Sequence, residues 1–115
     1  MSTNSYPLLF SSTILTTIEA SAYEVPVTPP TLTLQDLTLK LTNVTAATAT
    51  ASVWGIPAGS ASSITTATAI DVSIPAKDFI LIPVERLSAG ASITALASST
   101  DAITIQAVTG KLHTI

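Results

Sequence analysis

Residues 74–97 read IPAKDFILIPVERLSAGASITALA, and the parsing of this stretch decides the fold. Two apolar runs, 78–83 and 91–97, flank a polar connector carrying Glu85, Arg86 and Gly90. Both runs have strand length, and Pro75, Pro83 and Gly90 punctuate them, so the stretch reads as strand, corner, strand. The run FILIP is apolar on both faces, which suits a strand in the middle of a sandwich or one held against another subunit. The only helix-tolerant piece is VERLSAG, good for a single turn at the corner.

The same grammar extends outward. Upstream, Ile70, Val72 and Ile74 alternate with Asp71 and Ser73, giving a strand over 68–74. Residues 75–78, Pro-Ala-Lys-Asp, have the composition of a type I turn. Residues 57–66, PAGSASSITT, are low in complexity and rich in turn formers, and read as an exposed loop. Before it, 48–56 forms a strand with Trp54 and Ile56 on the face of Thr48 and Thr50, and Val53 on the other. Downstream, 98–101 is a tight turn and 102–112 the closing strand, with Ile103, Ile105 and Ala107 on one face.

In TLTLQDLTLKLTNV, residues 31–44, the apolar positions change from even (Leu32, Leu34) to odd (Leu37, Leu39, Leu41). A regular strand cannot switch faces midway, so an extra residue is expected in a bulge at Gln35–Asp36. Residues 43–47 follow as a turn. Strands at this spacing, joined by Pro, Gly and Ser turns, predict an all-β fold: a single antiparallel β-sandwich or jelly-roll-like domain over 31–115.

Residues 1–30 read differently, as an extended N-terminal arm and Pro-rich linker. Leu8, Phe10, Ile14 and Ile18 are apolar at even positions, with Ser11, Thr13 and Thr17 between them. The linker SAYEVPVTPP, 21–30, holds Pro26, Pro29 and Pro30, which cannot donate ladder hydrogen bonds, and offers Tyr23 and Val25 for docking. Such an arm can fold back as an edge strand or add to a neighbouring subunit's sheet. The prolines hold it away and favour the neighbour.

Composition narrows the function. With 115 residues the chain is one domain, and its 47% hydrophobic but 4% aromatic content requires a core of Leu, Ile, Val and Ala. Only 10% of residues are charged, against about 25% in an ordinary domain. Ser and Thr replace charge, so partner subunits are expected to cover much of the surface. The net charge is −3 and the four cations Lys40, Lys77, Arg86 and Lys111 are scattered, which argues against nucleic acid. There is no cysteine, no apolar run long enough for a membrane span, and no signal-peptide pattern at the start. A chain made in a cytosol and remaining soluble is expected.

Chemistry is sparse. His113, the one histidine, lies two residues from the end, where solvent exposure is a better account than catalysis. Glu19, Glu24, Asp36, Asp71, Asp78, Glu85 and Asp101 stand singly. Asp71 and Asp78 around Lys77 lack calcium-loop spacing, and Asn43-Val44-Thr45 reads as a turn rather than a glycosylation acceptor. Trp54 reads as a core or interface anchor rather than a ligand-stacking residue. No catalytic residue, cofactor or metal site is expected. The partner-contact candidates are Leu8, Phe10, Ile14, Ile18, Tyr23, Trp54, Phe79 and Leu81.

The order from residue 32 to 113 resembles the small β-sandwich virion structural proteins of tailed bacteriophages. The matching pieces are Ser73-Ile74-Pro75-Ala76, residues 87–97, and residues 102–112 with Gly110. Ala91 departs from the acid usual after that glycine, and the N-terminal arm is longer and richer in proline. The resemblance implies a non-enzymatic capsid decoration (cement) protein on the virion surface, made in the host cytoplasm. It implies a homo-oligomer, a trimer favoured, bound to the major capsid protein, with FILIP or Trp54 buried between subunits and the arm clamping the shell. A neck, collar or tail-tip component is the alternative, and a carbohydrate- or receptor-binding module a third.

Overall fold

The computed structural model describes residues 4–7, 13–27, 32–63 and 66–114. These form β1 (Asn4–Pro7), β2 (Thr13–Ile14), β3 (Ala20–Glu24), β4 (Thr33–Asn43), β5 (Ala49–Ile56), β6 (Ala67–Ile74), β7 (Phe79–Val84), β8 (Leu87–Ser88), β9 (Ser92–Ala97) and β10 (Ile103–Thr114). Among them there is no helix. Sheet A has the order β1-β10-β4-β7, with β2 also beside β10 and β8 also beside β4; sheet B has the order β3-β9-β5-β6. All of the pairings are antiparallel.

Because β1 and β2 share β10, and β7 and β8 share β4, each couple acts as one interrupted strand. The pairs then nest: β5 with β6, β4 with β7 and β8, β3 with β9, and β1 and β2 with β10. The chain is one long antiparallel ribbon with its tip in the β5–β6 loop and its ends joined at Asn4 and Thr114, rolled into two facing sheets. That is a jelly roll. The sequence-based expectation of an all-β antiparallel sandwich holds.

Large side chains from one sheet meet small ones from the other. β4 directs Leu34, Leu37, Leu39 and Leu41 inward and β10 directs Ile103 and Ile105, while sheet B answers with Ala49, Ala51, Ala95 and Ala97 around Val53 and Ile93. This is how a core with few aromatics reaches close packing.

The irregularity in β4 falls where the parity changes. Asp36 has φ 55, a left-handed conformation that Asp tolerates better than most residues, and Leu34 and Leu37 on either side of it are both buried. The β10 register shifts opposite it, between Ala107 and Thr109 and between Thr109 and Lys111. Lys111 Nζ lies 3.3 Å from Asp36 Oδ2, and Thr109 Oγ1 donates to the Asp36 carbonyl at 3.1 Å. The strand over 92–97 and the turns at 43–47 and 98–101 also stand as read.

Several expectations need correction. Of the two courses open to the N-terminal segment, the described residues take the fold-back and not the favoured neighbour: β1 and β2 pair with β10 and β3 pairs with β9 of the chain's own sheets. Leu15 and Val25 are core residues, and Val25 exchanges backbone hydrogen bonds with Ala91 and Gly90. The FILIP run is the edge of sheet A rather than its middle, as Pro83 permits, since an edge position needs no second ladder of donors. At 75–78, Lys77 takes φ 60, which a type I turn does not have at its third residue and a type II turn does. VERLSAG makes no helical turn, because Leu87 and Ser88 pair with β4.

Candidate functional site

The rolled ribbon leaves two outer faces. On sheet A, cross-strand register sets Ile14, Thr104, Thr42 and Phe79 in one row, and Gln106, Lys40 and Leu81 in the next. Three of these are large apolar residues left open to solvent: Ile14 at 45%, Phe79 at 47% and Leu81 at 54% relative exposure. Lys40 Nζ sits 4.6 Å from the centroid of the Phe79 ring, a cation–π contact that pins the one charge of these rows against the aromatic.

β7 bounds this face. Asn43 N–H donates to the Asp78 carbonyl, so by alternation the N–H and C=O groups of Phe79 and Leu81 point away from β4 to the open side. Phe79 N–H is taken by Asp78 Oδ1 at 2.8 Å, and Pro83 has no N–H. The edge is thereby blunted against strand addition, and what it offers is its side-chain face.

On sheet B, Trp54 lies opposite Thr94, and Leu96 opposite Ser52. Trp54 and Leu96 are half-buried. At the far edge, β6 bulges and Asp71 takes φ 49, which turns both Ile70 and Asp71 outward. Asp71 N–H donates to Ser52 Oγ at 2.9 Å, so the bulge covers that buried hydroxyl.

The structure sorts the partner-contact candidates. Phe79 and Leu81 are neighbours on the outer face of sheet A, Ile14 lies on that face at the opposite edge across Thr104 and Thr42, and Ile18 is 75% exposed on the β2–β3 link. Tyr23 packs partly against the core, and burial raises its hydroxyl pKa above the ordinary 10.0. Trp54 faces outward on sheet B. Leu8 and Phe10 lie outside the described residues.

Other residues emerge only from the tertiary fold. Glu19 accepts from Ser62 Oγ at 2.8 Å and Thr94 Oγ1 at 2.6 Å, tying the β2–β3 link and the β5–β6 loop to β9. No spacing signal connects residues so far apart. An open cleft of about 500 Å³ lies where β4 bulges and β7 breaks from β8, and it gathers Asp36, Glu85 and Arg86. His113 is half-buried in β10 opposite Thr33, not a solvent-exposed end. Among the described residues no three His, Cys, Asp or Glu cluster as metal ligands, and no helix is long and apolar enough to cross a membrane.

No protein-family model and no curated protein matches the chain. Among solved structures, a chain from the structure of infectious bursal disease virus, Gx strain, superposes with a TM-score of 0.51 at 14% identity. The likeness is one of fold. It covers 97% of this chain and 31% of that one, so the present chain corresponds to about a third of its neighbour's length.

Proposed function

We propose that this chain is a non-enzymatic structural protein of a virion, and more specifically a capsid decoration (cement) protein. Subunits associate on the outside of the shell as a homo-oligomer, for which the family resemblance favours a trimer, and contact neighbouring copies of the major capsid protein. The observation carrying the reading is the pair of low-charge Ser/Thr faces with large apolar side chains left open, Ile14, Phe79 and Leu81 on sheet A and Ile70 at the edge of sheet B. A soluble monomer gains nothing from such a face, whereas a subunit covered by partners does. Two further facts support it. A jelly roll recurs in viral capsid domains, though in lectins and cupins too, and the chain shares its fold with part of a chain from a virus. The phage and decoration parts rest on the sequence resemblance.

The mechanism differs from a free arm clamping the shell, because the described N-terminal strands are built into the sandwich. Attachment then falls to surfaces of the folded sandwich itself. The test is copy number: quantitative mass spectrometry of purified particles, with heads separated from tails. Abundance comparable to the major shell protein, in the head fraction, is expected. A few copies with the tails or connectors would transfer the reading to the neck, collar or tail tip, and absence from particles would end both.

A further inference from the structure

Charge is divided unequally between the sheets. The described strands of sheet B carry Glu24 and Asp71 and no cation, whereas sheet A carries Lys40, with Lys111 already paired to Asp36. On each sheet one charge stands next to exposed apolar surface. Lys40 lies over Phe79 and beside Leu81, and Asp71 is next to Ile70, which is 45% exposed. Phe79 and Leu81 lie on β7, with Lys40 beside them on β4, and Ile70 and Asp71 lie on β6; β7 and β6 end their sheets, so neither patch has a further strand beyond it among the described residues.

We propose that these two patches are the halves of a contact between copies of this chain: Lys40, Phe79 and Leu81 of one copy against Ile70 and Asp71 of the next. The inference rests on the homo-oligomer in the reading above and not on attachment to a shell. Opposite charges meet and apolar groups cover each other, whereas two copies of either patch brought together would oppose like charges. Contact through side chains follows from the blunted β7 edge, where Asp78 occupies one donor and Pro83 removes another. Because the contact joins unlike surfaces, the angle between them sets how the oligomer closes.

The test is charge reversal in the full-length protein, read by sedimentation velocity over a concentration series. Wild type should associate. Lys40→Glu and Asp71→Lys should each weaken association about tenfold or more, since each sets like charges together. The double variant, which restores an opposite pair with its sign inverted, should recover to within about threefold of wild type. Both sites are on the surface, and unchanged thermal melts would show that the single variants still fold. A wild-type chain that stays monomeric at about 100 µM, or a double variant no stronger than the singles, would overturn the proposal. Particle copy number is independent of this result, so decoration and self-association can fail separately.

Discussion

At the scale of single residues, Asn43 shows how much one polar side chain holds. It is fully buried at the end of β4, donates through Nδ2 to the carbonyls of Ala47 (2.7 Å) and Ile74 (3.0 Å), and accepts at Oδ1 from Thr45 N–H (2.9 Å) and Thr45 Oγ1 (2.7 Å). Three of these bonds close the 43–47 turn and the fourth ties it to β6, which is why a glycosylation-type triplet is here a structural turn. Asn43→Ala leaves at least two buried groups without partners and should cost about 3 kcal/mol, measured by urea unfolding. Asn43→Asp loses both donors and sets a carboxylate against two carbonyls. Burial raises that carboxyl's folded pKa above its unfolded value of about 3.9, so the variant should be least stable at neutral pH and recover as pH falls. A loss independent of pH would refute this account. Asp36 was legible beforehand because hydrophobic parity is local information, and a switch of parity in a strand has one cheap remedy. Glu19 was not legible, because its partners are 43 and 75 residues away.

At the scale of elements, the N-terminal residues were legible as extended but not as belonging to this sandwich. Alternation states that a strand has an apolar face and leaves open which edge, on which copy, it joins. The core supplies the answer: Leu15 and Val25 are 5% and 2% exposed, and β1 to β3 supply the outermost strand of sheet A and the edge strand of sheet B. Deleting residues 1–27 should therefore uncover β10 and β9 and abolish the cooperative thermal transition, with aggregation through the bared edges. A truncated chain that melts cooperatively would return the segment to the status of an arm. Glu19→Ala is milder. Loss of two hydroxyl-to-carboxylate bonds on a half-buried group should cost about 1–2 kcal/mol and speed amide exchange in β3, leaving β4 protected. The edge position of β7 was signalled by Pro83, but the apolar content of FILIP outweighed it in the sequence reading. The exposed Phe79 and Leu81 reconcile the two, an edge strand that stays apolar on its outer face.

At the scale of the whole molecule, the nested pairing orders the assembly. β5 and β6 lie next to each other along the chain, whereas β1 must find β10 across nearly the whole sequence, from Asn4 to Thr114. Closing the inner ribbon first shortens every later loop, and pairings this distant place the domain among slow folders, in the millisecond to second range. The two ends of the process can be separated by mutation. Val53, fully buried on β5, belongs to the inner ribbon, and Leu15, just after β2, to the last closure. Val53→Ala should slow refolding in proportion to the stability it loses. Leu15→Ala, which removes more side chain and should cost about 2–4 kcal/mol, should leave refolding nearly unchanged and appear instead as faster unfolding. Stopped-flow folding and unfolding arms measure both. If Leu15→Ala slowed refolding as much as it destabilised, the N-terminal strands would belong to the nucleus and the inside-out order would be wrong. The predicted order also bears on the exposed sheet A face: β7 joins β4 in the second ribbon, ahead of β1 and β2, so Phe79 and Leu81 are presented to other copies before the sandwich has closed.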